Sequence, residues 1–227
     1  GWRNDRGTGD FQQHIQDTGD GAQSDRKEDS GEEDAKYMQF LNRYIITPIK
    51  SGLVVIDQQR AHQRVLYEKF IREMGDNKSD SQQLLFPVTV KIAPQDIPVV
   101  EELTVELEQI GFQWRLTEEG HLEITGAPTR IEEAAISDLL ESIIEEWKTG
   151  KSKGTEEPHT RLAKHMAMKL AARDGTVLAR AEMRSLTNQL FSCNFPEYSP
   201  EGEKVFAVIG QQMLNSLFIK NGKENIE

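Results

Sequence analysis

Apolar and polar positions near the start of the ordered chain predict a β-hairpin followed by a helix. Residues 38–48 contain a run of β-branched and aromatic residues, and residues 53–56 form a continuous apolar run after a Ser-Gly turn. Two such runs around a turn are typical of hairpin strands. Asp57 follows directly, at a place typical of a helix N-cap. From Gln58 to Met74, apolar residues recur at helical spacing, which predicts a long helix.

The middle of the chain predicts a block of mixed strands and helices. Its elements are a strand over 84–92, a helix over 96–110, strands over 112–116 and 121–125, and a helix over 131–147. Short strands joined by turns and accompanied by amphipathic helices are typical of an α+β arrangement. We therefore predict an α+β fold.

The last third of the chain predicts mainly helices after the polar residues 148–157. Its elements are helices over 161–173 and 180–191, a turn-rich loop over 194–204, a strand over 205–209 and a helix over 211–218. The final helix carries an apolar cluster that is a candidate for an interface. This cluster comprises Met213, Leu214, Leu217 and Phe218.

Residues 1–35 differ in composition from the rest of the chain. Glycines are scattered among them, and acidic residues clearly outnumber basic ones. Such a segment buries too little apolar surface to offset its conformational entropy. We predict a disordered acidic linker, the alternative being a motif that folds on a partner. Because the chain begins with Gly1 and not with methionine, we expect a piece of a longer protein.

Composition and charge exclude several classes of protein. The chain has 227 residues, a net charge of −11 and a single cysteine, Cys193. A wholly basic nucleic-acid coat is excluded, because phosphate neutralisation needs lysine and arginine. An internal disulfide and a zinc site of several cysteines are excluded as well. No apolar run approaches the ~20 residues of a membrane span and no signal segment opens the chain, so we expect a cytoplasmic protein without a membrane partner.

Residues 52–68, GLVVIDQQRAHQRVLYE, carry the most informative motif. They resemble the strand-to-helix signature in the C-terminal domain of MutL mismatch-repair proteins. Nuclease-competent members of that family carry Asp-Gln-His-Ala-x-x-Glu-x-x-x-x-Glu at this place. In this chain Asp57, Gln58 and Glu68 match that pattern. The substituted positions are Gln59 for the His, Arg60 for the Ala and Gln63 for the first Glu.

Three further segments extend the resemblance over about residues 36–218. Residues 82–88, QQLLFPV, are similar to the family's sliding-clamp-binding stretch. Ala167-Met168-Lys169 falls where active members have Ala-Cys-Lys or Ala-Cys-Arg, and residues 199–203, SPEGE, fall where they have Cys-Pro-His-Gly-Arg. Met168, Ser199 and Glu201 thereby replace two cysteines and a histidine.

The resemblance implies a specific organisation of the α+β fold. A dimerisation subdomain, expected over residues 36–80 and 155–227, would contain an inserted, smaller external (regulatory) subdomain over 84–148. An ATPase domain would precede the linker, so ATP is expected only in the full-length protein. The resemblance also implies a homodimer, the mismatch-recognition protein MutS as a partner, and a cytoplasmic protein that is nucleoid-associated during repair.

Metal-dependent nicking is the chemistry that these substitutions put in question. A phosphodiester nuclease holds its metal ion with anionic or imidazole ligands, whereas Gln63 is a neutral amide and Met168 a thioether that hard cations ignore. Asp57, Glu68 and Glu201 remain as candidate ligands of an oxygen-only site for manganese or magnesium, with zinc as a third candidate. Asp57 and Glu68 are also the candidate catalytic residues.

The structural alternative for the same residues is an ion-pair arrangement. Asp57, Arg64 and Glu68 recur at helical spacing, so they share one helix face. Arg64 then neutralises the two carboxylates, and Asp57 serves as a helix cap. His62 is expected at a surface or an interface and not as a ligand.

The predicted clamp-binding residues are Gln82, Leu85, Phe86 and Pro87, which follow polar residues 75–81. A glutamine followed by apolar residues suits binding in a pocket together with strand-like pairing. The alternative is an ordinary edge strand. The basic residues of 148–173 suit a weak, salt-sensitive DNA contact, or else a solvated helix face.

We therefore predict the C-terminal dimerisation domain of a MutL-type protein, which docks the sliding clamp and couples mismatch recognition to strand removal, with its nicking activity lost or altered. The first alternative is a manganese-dependent nicking endonuclease with a noncanonical, oxygen-rich site. The second is an interaction module with an unknown partner.

Overall fold

The structure, a computed structural model, describes residues 36–76, 80–149 and 156–218. The predicted linker 1–35 lies outside the described residues. The strands are β1 (Met38–Phe40), β2 (Tyr44–Ile49), β3 (Gly52–Asp57), β4 (Ser81–Val90), β5 (Gln113–Leu116), β6 (Leu122–Pro128) and β7 (Phe206–Gly210). The α-helices are α1 (Gln58–Asp76), α2 (Ile97–Glu102), α3 (Thr104–Gln109), α4 (Ile136–Thr149), α5 (Pro158–Leu170), α6 (Arg180–Phe191) and α7 (Gln211–Ser216). This mixture of helices and antiparallel sheets confirms the predicted α+β fold.

The chain divides into two compact units. The first contains residues up to His62 and those from Ala172 onwards, and the second is Gln63–Ala171. The sequence predicted other bounds, with the dimerisation subdomain at 36–80 and 155–227 and the external one at 84–148. The difference arises because most of α1 and all of α5 pack into the apolar core of the second unit. The functional roles of the two units stay predictions.

The first unit is built on an antiparallel sheet with strand order β1-β2-β3-β7. β3 is an inner strand, paired on one side with β2 and on the other with β7. One sheet face is buried and includes Ile45, Val54, Ile56 and Phe206. Helix α6 packs on this face, where the ring of Phe191 contacts that of Phe206 edge-on at a centroid distance of 5.0 Å.

The second unit is built on an antiparallel sheet with strand order β4-β6-β5. Apolar residues of α1, α4 and α5 complete its core. The largest side chains without solvent contact there include Phe70, Phe112, Leu122, Ile136 and Leu162. The apolar stripes that predicted helices in this region therefore face a common core.

Two predicted elements are interrupted in the structure. The apolar run 38–48 splits into β1 and β2 at a turn over residues 41–43, where Arg43 N–H donates to the Phe40 carbonyl at 3.1 Å. The predicted helix 96–110 splits into α2 and α3 at Leu103, beside which the Thr104 hydroxyl donates to the Val100 carbonyl at 3.2 Å. Such side-chain bonds to the backbone compete with regular helix hydrogen bonding.

None of the described helices is long and apolar enough to cross a membrane.

Candidate functional site

Asp57 joins β3 to α1 and is held by backbone hydrogen bonds. Its N–H donates to the Val205 carbonyl at 2.8 Å, and its Oδ1 accepts the N–H of Arg60 at 3.1 Å. The second bond is the N-cap interaction that the sequence predicted, because it satisfies an N–H that has no partner inside the helix. The carboxylate is buried. The cap therefore fixes the side chain at the start of α1.

The charge of Asp57 is balanced by two arginines. Nε and Nη2 of Arg43 donate to Oδ2 at 3.4 and 3.3 Å, and Nε of Arg60 lies 3.8 Å from the same oxygen. The hydrogen bond to Asp57 is the main cause that raises the pKa of Arg43. Arg43 is not among the site residues predicted from the sequence. The hairpin register, which pairs Tyr44 with Asp57, is the signal that places residue 43 beside this carboxylate.

Arg60 also joins α1 to the loop that precedes β7. Its Nη2 lies 2.9 Å from Oε1 of Glu203, and its Nη1 donates to the Lys204 carbonyl at 3.1 Å. Arg60 and Glu203 are two of the positions at which this chain departs from the nuclease-competent motif, which has Ala and Arg there. The two departures thus form one ion pair.

Ser199 closes the same loop on itself. Its buried hydroxyl accepts the N–H groups of Glu201 at 3.3 Å and Glu203 at 3.2 Å, while Ser199 N–H donates to the Glu203 carbonyl at 2.7 Å. The hydroxyl oxygen therefore accepts hydrogen bonds from the backbone, and hydrogen bonds between its own residues order the loop. Glu201 itself is exposed.

Glu68 lies in the second unit and is paired with Arg64. Nη1 of Arg64 lies 3.6 Å from Oε1 of Glu68, and both side chains are buried, as is Gln63. The Arg64 guanidinium also lies 5.3 Å from the ring centroid of Tyr67, at a cation–π distance. This pairing is the one that the structural alternative predicted for Glu68. Met168 is exposed on α5.

Two of the candidate metal-binding carboxylates each have an arginine partner within their own unit. Within the described residues, no group of three or more His, Cys, Asp or Glu residues is arranged to hold a metal ion. Asp57 faces Arg43 and Arg60, and Glu68 faces Arg64, so both carboxylates already have cationic partners. The catalytic and metal-binding roles of Asp57, Glu68 and Glu201 stay predictions.

The second face of the four-stranded sheet is apolar and incompletely covered. Directly opposite residues share a face, so the register places nine apolar residues together. We call them the apolar sheet face: Met38, Phe40, Tyr44, Ile46, Pro48, Leu53, Val55, Ala207 and Ile209. Each of them is exposed or half-buried. This face was not predicted from the sequence, although the unbroken apolar run of β3, which puts apolar side chains on both faces of the sheet, is a partial signal for it.

A pocket of about 190 Å³ lies at one end of the apolar sheet face. Tyr44, Val55 and Ala207 contribute apolar lining from the face itself. The rest of the lining consists of Asp57, Arg60, Lys204, Val205 and Phe206. The lining of the pocket thus combines apolar and charged residues.

The predicted clamp-binding residues lie together on β4, an edge strand of the second unit. Gln82 and Pro87 are exposed, and the exposed fractions of Leu85 and Phe86 are 85% and 71%. The pairing of β4 with β6 shifts register between Gln83 and Val88, so the residues between them lie outside the regular ladder. Large exposed apolar side chains on an irregular edge suit a partner surface.

His62 is fixed beside the point where the chain re-enters the first unit. Its Nδ1 accepts the N–H of Ala172 at 3.0 Å, which requires Nδ1 to be unprotonated. Burial lowers the pKa of His62, because desolvation disfavours the imidazolium. The residue is therefore a structural acceptor and not a surface histidine.

Comparison with known proteins identifies the family. The family model of the MutL C-terminal dimerisation domain matches residues 37–178. The chain is 36% identical to the DNA mismatch repair protein MutL of Flavobacterium johnsoniae over 183 residues, which cover 81% of this chain and 28% of that protein. It is 35% identical to MutL of Phocaeicola vulgatus over 196 residues, which cover 86% of this chain and 32% of that protein.

MutL of Chlorobium phaeobacteroides is 34% identical over 196 residues, which cover 86% of this chain and 31% of that protein. The chain spans about a third of the length of these curated relatives. The match begins at the first described strand and includes the whole Asp57 segment, whose resemblance to the family signature it confirms. This chain therefore belongs to the family of MutL C-terminal dimerisation domains.

Proposed function

We propose that this chain dimerises a MutL-type mismatch-repair protein through the apolar sheet face. The observation that carries the proposal is a continuous apolar surface on β1, β2, β3 and β7, most of which lies in the range matched by the dimerisation-domain family. Burial of such a surface against a second copy removes apolar area from water, which is the main driving force of association.

Charge supports a second copy as the occupant of this face. The chain carries a net charge of −11, so two copies repel each other wherever acidic surfaces meet. The nine residues of the apolar sheet face carry no charge, and Asp57 at its end is balanced by Arg43 and Arg60. The exposed side chains of Met213, Leu217 and Phe218 offer further apolar area in the same unit.

Sedimentation velocity of the native chain and of Ile46→Glu tests the proposal. Ile46 lies on the apolar sheet face between Met38 and Val55, so a glutamate there places one uncompensated charge from each copy in the interface. We expect a native dimer and a monomeric variant. Val105→Glu is the matched control, because Val105 is 61% exposed on the second unit. A native monomer, or a dimer unaffected by Ile46→Glu, contradicts the proposal.

We further propose that β4 docks the DNA sliding clamp. The support is the exposure of Leu85 and Phe86 beside Gln82 and Pro87, in a stretch whose regular pairing is interrupted. The extended backbone offers strand-like pairing, and the apolar side chains suit a pocket on the clamp. The two modes together suit a weak and reversible contact.

Calorimetric titration of the native chain with the clamp tests the docking. Leu85→Ala together with Phe86→Ala is expected to abolish binding, because the two side chains supply the apolar contact. Leu116→Ala is the control, since Leu116 is 45% exposed on β5, the opposite edge of the same sheet. Equal binding by the double variant and the control contradicts the assignment.

We infer that metal-dependent nicking is lost or altered. Arginine guanidinium groups already balance the negative charges of Asp57 and Glu68. The Ser199 hydroxyl oxygen already accepts backbone N–H groups of its own loop. Titration of manganese, and separately of zinc, with Glu68→Ala as the comparison, is expected to show no site that depends on Glu68. Micromolar binding that disappears in Glu68→Ala, together with nicking of supercoiled plasmid in manganese, supports the nuclease alternative instead.

The wider role follows from the family and is proposed for the whole protein. We propose that the dimer couples recognition by MutS to strand removal in the cytoplasm, at the nucleoid during repair. ATP binding and hydrolysis belong to an ATPase domain elsewhere in that protein. A weak DNA contact by the basic residues of α5, such as Lys164 and Lys169, is expected to weaken with salt.

A further inference from the structure

Leu41 occupies a turn position that requires a left-handed backbone, although leucine is a poor residue for that conformation. Leu41 and Asn42 have φ angles of +54° and +49° and form the turn between β1 and β2. A left-handed conformation is unfavourable for an L-residue that carries a β-carbon, and glycine or asparagine is the usual choice there. The Leu41 side chain is 73% exposed and so gains little from packing within the chain. A strained, exposed leucine indicates a contact outside the chain.

The pocket at one end of the apolar sheet face is a place where the exposed Leu41 side chain of another molecule could be buried. Tyr44, three residues after Leu41, is part of its lining, so the turn and the pocket lie at the same end of the sheet. Its volume of about 190 Å³ exceeds the ~150 Å³ of a cavity that accommodates benzene. This volume is large enough for a leucine side chain, which is no larger than benzene. Val55 and Ala207, whose side chains lie on the apolar sheet face, offer it apolar contacts.

We propose that Leu41 of each copy inserts into this pocket of a second copy. In a two-fold interface each residue that contacts a partner surface is matched by the reverse contact. A turn and a pocket at the same end of one sheet satisfy this condition when the two-fold axis passes near that end. Three pocket residues, Tyr44, Val55 and Ala207, belong to the apolar sheet face, so the insertion extends the proposed dimer interface and rests on it.

Leu41→Asn separates insertion from folding. Asparagine tolerates the left-handed conformation, so the variant keeps or raises the stability of the isolated chain while it removes the inserted side chain. We expect its dimer dissociation constant to rise by roughly tenfold or more, since two buried contacts are lost per dimer. Lys50→Asn is the control, because Lys50 is exposed in the turn at the other end of the sheet. Its dissociation constant is expected to stay at the native value.

Ala207→Phe changes the pocket and leaves the turn unaltered. Ala207 is exposed, so the added ring extends into the pocket without overpacking the core. This variant is also expected to dimerise at least about tenfold more weakly. A mixture of Leu41→Asn with Ala207→Phe restores one intact pair, since the first retains a free pocket and the second a native turn. The mixed dimer is therefore expected to be tighter than either variant alone.

The outcomes distinguish this inference from the proposed function. Native dimerisation that Ile46→Glu abolishes, but that Leu41→Asn and Ala207→Phe leave unchanged, overturns the insertion and keeps the dimer face. Weakening by both variants without recovery in the mixture also overturns the pairing of turn and pocket. A monomeric native chain overturns both proposals. Weakening by both variants with recovery in the mixture supports the insertion.

Discussion

At the scale of single residues, Asp57 shows why a resemblance in sequence does not transfer a chemical role. The residue matches the family motif, yet its Oδ1 caps α1 through Arg60 N–H and its Oδ2 faces Arg43 at 3.3 Å. A metal ion that approaches Oδ2 meets a guanidinium already in place. Like charges at such a distance repel strongly in a buried site. The arginines therefore favour a structural role.

The structural role of Asp57 predicts a graded loss of stability. Asp57→Ala removes both the cap and the partner of two arginines, and we expect it to lower the free energy of unfolding by about 2–3 kcal/mol. Asp57→Asn keeps an oxygen for the Arg60 N–H and loses only the charge, so about 1 kcal/mol is expected. Urea unfolding followed by circular dichroism measures both. Equal losses in the two variants would show that the cap contributes nothing.

His62 predicts a dependence of stability on pH. Its pKa in the folded state is lowered from the ordinary 6.5 by burial, so the unfolded chain binds more protons as the pH falls. Stability is therefore lost as the pH decreases from the unfolded pKa through the folded one. The Ala172 N–H bond to Nδ1 is lost on protonation, because both imidazolium nitrogens are donors.

The comparison of His62→Asn with the native chain isolates this effect. The Asn oxygen stands in for Nδ1 as an acceptor but does not titrate, so the unfolding free energy of the variant is expected to fall less between pH 7 and pH 5. His165, whose pKa is also lowered mainly by burial, remains in both proteins and contributes equally. His159→Asn is the control, since His159 is partly exposed. A native pH profile in His62→Asn contradicts the prediction.

At the scale of elements, Gly52 determines how closely β3 and β7 approach. Gly52 has φ +152°, and a Cβ on it would lie 2.1 Å from the Ile209 carbonyl oxygen. Gly52→Ala forces these strands apart, so we expect it to lower the free energy of unfolding by about 3 kcal/mol. Gly75→Ala is the matched control, because no atom lies within 4 Å of its added Cβ and alanine favours a helix. Equal stabilities of the two variants would contradict this account.

Local patterns predicted most elements, and non-local pairing accounts for those that differ. Strand β3 and helix α1 follow from a continuous apolar run and a helical stripe around Asp57. The break between β1 and β2 within the run 38–48 could not be predicted, because leucine is a poor turn residue and Leu41 therefore gave no local signal. The Arg43–Asp57 pair depends on strand register, and the apolar sheet face combines residues from four strands, so neither is visible in any one segment.

At the scale of the whole molecule, net charge sets the ionic-strength dependence of the proposed dimer. Each copy carries −11, so dimerisation works against repulsion between the copies. Salt screens this repulsion over a distance of about 10 Å at 0.1 M and about 3 Å at 1 M. The apolar sheet face has no charged pairs of its own for salt to weaken. We therefore expect the dimer to become tighter as sodium chloride is raised.

Sedimentation equilibrium across a salt series measures the effect, and the expected change in the dissociation constant is several-fold between low and high ionic strength. The sequence isoelectric point of about 5.1 supplies an independent check, because acidification towards it also reduces the repulsion. His62→Asn is the suitable background for that check, since it separates charge neutralisation from loss of the Ala172 hydrogen bond. A dimer that weakens with salt would mean that ion pairs between the copies dominate the interface, and the apolar sheet face would then not be the principal contact.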